Sequence, residues 1–303
     1  LARCTFSEVT RQPLTGMLTL STLLVCILSP TLALFALEEN RNLLRDFGIS
    51  TIFLSGLLLV ASGVSGVIGR ELELHTAQTL LAKPVGRGVF LAGRLLGVLA
   101  SVAVAVYVFT LALLLAARIG PPEHAHEAVD WPAVTVEALA ILVALFAGLI
   151  RGFRTGQPMG IALLKAACVT FTAAFLLAGF LGPGWQLRTF ELDWDPLIGK
   201  AAVLALLGVA LLGAVSVLLA VLFGRGSLVG ALIVFLAGLS LGKGDSALLG
   251  LLPDLRIFWV GEIFYKTEPS MPVGYIALAA LYAACYSAAC LAGATWLLDR
   301  REA

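Results

Sequence analysis

Residues 69–97 read GRELELHTAQTLLAKPVGRGVFLAGRLLG. The stretch carries Arg70, Glu71, Glu73, His75, Lys83, Arg87 and Arg94, and Pro84, Gly86 and Gly88 interrupt it. On either side lie long apolar runs, 48–68 and 91–117. A helix needs about 20 apolar residues to cross a bilayer. Each flank therefore reads as a membrane span, and the polar stretch as their connection at the membrane surface.

The rest of the chain follows the same pattern. It has 303 residues, 60% of them apolar and 13% charged, whereas soluble domains are about 25% charged. The apolar residues fall in unbroken runs, not in the alternation of a membrane β-barrel. The expected fold is all-α, a polytopic membrane helical bundle forming a single domain over 1–303. The first apolar run is long and lacks a small-residue cleavage site, so a cleavable signal peptide is not expected.

Taken in order, residues 1–13 read as an amphipathic helix, with Ala2, Phe6, Val9 and Pro13 on one face and Arg3, Ser7 and Arg11 on another. Spans are expected at 14–37, 48–68, 91–117, 133–150, 159–181, 201–223, 228–241 and 273–298. Pro30 predicts a kink in the first. The pair at 133–150 and 159–181 forms one hairpin, so a count of six or of eight spans leaves the same topology. Residues 38–46, 118–132 and 182–199 read as polar connectors, 151–157 as a basic turn, and 243–272 as a re-entrant or interfacial segment.

Lys and Arg concentrate on the cytoplasmic side of membrane proteins. With the N-terminus inside, the inner segments hold twelve of the 20 basic residues and five of the 19 acidic ones. Both termini and the 69–97 stretch are therefore expected in the cytoplasm, and the protein in the cell membrane. The net charge of +1 offers no electrostatic signature for nucleic acid.

Few groups suggest catalysis. Cys4, Cys26, Cys168, Cys285 and Cys290 show no metal or disulfide spacing and read as small hydrophobes. Residues 123–127, EHAHE, place two histidines at i, i+2, not the i, i+4 of a helical zinc pair. Residues 238–244, GLSLGKG, have one residue too few for a phosphate loop and lack its Ser or Thr. No catalytic residue, cofactor or metal site is expected, and any ATP hydrolysis belongs to another chain. Glu137, Lys165 and Lys200 fall near span ends, where side chains can snorkel. Gly93 and Gly97 make a small-xxx-small pair suited to close helix packing.

Within the opening stretch, 71–82 reads as a helix of about three turns. Glu71, Glu73, His75, Thr76 and Gln78 are expected to face water, and Pro84, Gly86 and Gly88 to end it. Arg87 and Arg94 would then hold the chain at the inner surface. The result is a short charged lever joined to two spans.

At these residues the chain resembles the permease subunits of type-2 ABC transporters, the ABC-2 exporters. Glu71, Glu73, Thr76, Leu80, Leu81, Pro84, Val85, Arg87, Phe90, Leu91, Gly93, Arg94, Leu95 and Gly97 match the family's pattern between its second and third spans. Arg3, Phe6, Glu8 and Arg11 resemble its connecting helix, and Asp299–Glu302 its usual ending. The similarity covers 1–117 and 200–303 but not 118–199. It implies an export permease, paired with a second permease copy or paralogue in the lipid bilayer and bound to an ABC ATP-binding subunit. The polar helix would be the coupling element, docking through Glu71, Glu73, His75, Thr76, Pro84 and Arg87. An ATP-independent channel or scaffold is the alternative, and an intramembrane enzyme using EHAHE a third reading.

Overall fold

The computed structural model describes residues 1–33, 40–73, 86–119, 130–182, 185–187, 189–190, 195–240, 252–266 and 270–301. Among them the only β pairing is an isolated bridge between Leu181 and Leu187. The helices are α1 (Ala2–Arg11), α2 (Pro13–Ala33), α3 (Asn40–Val64), α4 (Arg70–Glu73), α5 (Arg87–Ile119), α6 (Trp131–Thr155), α7 (Met159–Phe180), α8 (Pro196–Phe223), α9 (Ser227–Ser240) and α10 (Val273–Arg301). A π-helical turn, Ser65–Gly69, joins α3 to α4.

Among the described residues, seven stretches are helical, long and apolar enough to cross a membrane. This is an all-α membrane bundle. One of the seven, Pro196–Ser240, turns back at Gly224–Gly226, so α8 and α9 form a hairpin. The described part of α9, Ser227–Ser240, is 14 residues or about 21 Å long.

α3 lies at the centre, with α2, α5 and α8 packed on it. In its apolar window 83% of the residues are buried, against 17% in α10 at the periphery. α6 and α7 pack mainly on each other, as the expected hairpin, and α7 joins them to α2 and α5. Contacts order the two ends. Gly69 meets the backbone of Gly224, and Ser65 Oγ donates to the Arg225 carbonyl at 2.8 Å. At the far end of α3, Arg45 pairs with Asp195 at 2.6 Å, and Gly261 meets Asp46.

Several boundaries differ from the sequence reading, mostly toward longer helices. Residues 40–46, read as connector, are the first turns of α3. The polar side chains there find partners in the helix itself: Arg45 Nη1 donates to Asn42, and Ser50 Oγ to Asp46. The basic turn 151–157 is helical through Thr155 and ends at Gly156, whose φ of 61° suits only glycine without strain. Apolar runs mark the hydrocarbon core, whereas helices continue until a breaker stops them.

The segment after Pro253, expected to be re-entrant or interfacial, holds 3-10 turns at Leu255–Ile257 and Gly261–Tyr265. Phe258 and Phe264 bury them. Pro30 sits inside α2, where it cannot donate to the Cys26 carbonyl. The Ser29 hydroxyl donates to that oxygen instead, at 2.6 Å.

The small-residue pairs serve packing. A Cβ on Gly97 would stand 2.6 Å from the Ala2 carbonyl oxygen and 2.5 Å from Thr5 Cβ. Gly63 faces Val9 and Val98, and Gly160 faces the Thr10 carbonyl. α1 therefore lies in a bed of glycines rather than only on lipid. Its buried face is Thr5, Val9 and Thr10; Phe6 is half-buried, and Pro13 is exposed at the start of α2. Gly97→Val is expected to lift α1 from this bed at a cost of about 1–3 kcal/mol. Thermal unfolding in detergent should show a clear fall in Tm, whereas Gly274→Ala, which meets nothing within 4 Å, should leave it unchanged.

Candidate partner interface at the end carrying the termini

The sequence motif segments converge at one end of the bundle. α5 begins at Arg87, directly after the non-helical Gly86. Two turns later Arg94 points inward and is only 6% exposed. Its Nη2 pairs with Glu71 of α4. Its Nη1 takes Thr5 Oγ1 at 3.0 Å and Glu8 Oε2 at 3.4 Å, both on α1. The guanidinium also lies 5.6 Å from the Phe90 ring centre. One cation thus bridges the N-terminal helix, the end of the α3–α4 rod and the third span.

A second pair closes the same end. Arg87 bonds to Asp299 near the C-terminus of α10. Both side chains are much more exposed than Arg94, at 33% and 60%. Nearby, Arg300 stacks on Trp296 at 4.0 Å. The tail is therefore tied to the polar stretch, a link that no sequence spacing announces.

The predicted docking residues divide into groups. Glu71 does not face water as expected; its side chain is 15% exposed and engaged by Arg94. Arg94 is likewise an internal bridge, not a surface anchor. Residues 71–73 continue the second span after the π turn rather than opening a new helix. Glu73 ends α4; its side chain, with His75, Thr76, Gln78, Pro84 and the remainder of the predicted helix to 82, lies outside the described residues. On α1, Arg3 and Arg11 are exposed, Glu8 is exposed beside Arg94, and Phe6 is half-buried.

At the opposite end, Lys200 donates to the Met271 carbonyl at 3.0 Å, while Lys165 is exposed near the start of α7, at the end carrying the termini. Both suit side chains near span ends. Glu137 does not: it is 3% exposed and buried in the α6 packing face. EHAHE lies outside the described residues, among which no group of three His, Cys, Asp or Glu could hold a metal.

Sequence reasoning missed the hub role of Arg94 and its Thr5 partner. The available signal was a lone arginine following an apolar Phe-Leu pair, with acids at 8 and 71 to meet it. The π turn had no signal beyond its flanking Ser and Gly residues. No family model matches the chain, and neither a curated protein nor a solved structure resembles it significantly.

Removing one partner of a buried ion pair costs about 3–5 kcal/mol, while exposed pairs give about 0–1 kcal/mol. Double-mutant cycles on unfolding should therefore show strong coupling for Arg94→Met with Glu71→Gln. Coupling for Arg87→Met with Asp299→Asn should be near zero. Equal coupling in the two cycles would refute the hub assignment.

Proposed function

We propose that the chain is the membrane-spanning permease subunit of an ATP-driven transporter of the type-2 ABC exporter kind. It works with a separate ATP-binding subunit and a second permease chain. Its termini and the 69–97 stretch face the cytoplasm, where basic residues concentrate.

The observation that carries this reading is the Arg94 bridge. A lever is useful only if force on it reaches the spans. Here the root of the polar stretch is clamped by Arg94 to α1 and α5 and continues directly into central α3. A partner pushing on residues beyond Glu73 would act on all three elements together. Glu71 then transmits within the chain, and docking falls to Glu73, His75 and Thr76.

The chain purified from its native membrane is expected to bring with it a subunit that binds and hydrolyses ATP. Glu73→Lys with His75→Glu should abolish that association while leaving insertion and Tm intact. Retention of the ATPase by this variant would remove the coupling role. Purification of an inserted chain with no ATP-binding subunit would favour a channel or scaffold.

A further inference from the structure

A cavity of about 390 Å3 opens at the end of the bundle away from the termini. Its walls include Arg45, Asp195, Lys200, Ser270, Met271 and Pro272. Three spans start around it: α3 carries Arg45 in its second turn, α8 starts at Pro196 and α10 at Val273. A cavity ringed by span ends lies at the depth of the lipid headgroups. Sites for small ligands measure roughly 300–1,000 Å3, so this one has room for a whole headgroup rather than a lone ion.

The charges around it do not balance. Asp195 is committed twice: Oδ1 accepts from the Leu197 N–H at 3.0 Å, and Oδ2 pairs with Arg45 Nη2 at 2.6 Å. Lys200 gives one N–H to the Met271 carbonyl at 3.0 Å. An ammonium has three donors, and among the described residues no carboxylate pairs with this one. Arg45 Nε is buried without a hydrogen-bond partner among the described residues. The start of α8 adds the positive end of its helix dipole. Two cations and a helix N-terminus thus stand against one carboxylate, leaving one formal positive charge in excess.

Beside the cavity the surface turns apolar. Val203, one turn beyond Lys200 on the same face of α8, is 48% exposed. Val273, directly after Pro272, is 71% exposed. An amphiphile with its head in the cavity would lay its tails on this surface.

We propose that the cavity binds the phosphodiester of an anionic phospholipid, with Lys200 donating to a phosphate oxygen. A singly charged phosphodiester balances the site. A head with its own cation, such as choline, brings no net charge and sets an ammonium near Arg45 and Lys200, so a glycerol head is preferred. Headgroup depth and the adjoining apolar surface select a lipid over a water-borne ester. The site needs no ATP-binding chain, and its test is separate from that of the transport reading.

The test uses the purified full-length chain in nanodiscs of phosphatidylglycerol and phosphatidylcholine in equal parts. Native mass spectrometry counts the lipids that stay with the chain. One phosphatidylglycerol per chain is expected, retained over phosphatidylcholine by about fivefold, the worth of one basic residue near a lipid surface. Lys200→Gln should remove the preference and Lys200→Arg should keep it. Lys165→Gln, which removes an exposed cation at the other end, should leave it intact. Ser270→Glu, which supplies the missing carboxylate from an exposed position, should abolish it, and this variant decides if Lys200→Gln does not fold. No preference in the native chain, or the same preference in both Lys200→Gln and Ser270→Glu, would overturn the proposal. Displacement of the lipid by an equal concentration of soluble glycerophosphoglycerol would assign the site to a water-borne phosphodiester and overturn the choice of a lipid.

Discussion

A guanidinium buried in an apolar bundle must be met by carboxylates and hydroxyls, because its desolvation is otherwise uncompensated. Arg94 imposes that requirement here. Meeting it draws Glu71 from the end of the second span, and Glu8 and Thr5 from the N-terminal helix, to one point on α5. The position of α1 follows from this point and from the glycines beneath it. So does the entry of the polar stretch, which starts as a continuation of α3.

The opposite end uses the same logic with different residues. Arg118 caps the carbonyl end of α7 and pairs with Asp130, which itself caps α6. Arg45 of α3 pairs with Asp195, which caps α8. Arginine suits this role because its planar fork donates in several directions at once. Between the two ends the packing is apolar, with glycines letting α3 and α8 approach: Gly56 meets Val209, and Gly208 meets Phe53. Glu137 is the exception, a buried carboxyl near the start of α6 whose Oε1 has no hydrogen-bond partner among the described residues.

Legibility followed length scale. Spans of 20 or more apolar residues were readable because burying a helix in lipid demands them. The α6–α7 hairpin and the placement of both termini at one end followed from the same count. Helix ends were less readable. Polar residues at 40–46 and 151–155 continue their helices through local side-chain bonds that hydropathy does not register. In the candidate site, Glu71, Arg87, Glu8 and Arg94 were all visible as charges in an apolar chain. Which of them faced water was not. Glu71 turned inward because Arg94, 23 residues away, had to be neutralised.

From sequence alone came the class of fold, since a chain this apolar in runs this long has only one way to satisfy its backbone in a membrane. The segregation of basic residues likewise belongs to the sequence. Tertiary structure decided which charges pair and which remain available. It joined Arg87 to Asp299 across 212 residues and seated α1 on Gly97. It also buried Glu137, which hydropathy had placed at a span edge. The reason is physical: periodicity and composition record what a segment needs from its surroundings, but only packing determines which other segment supplies it.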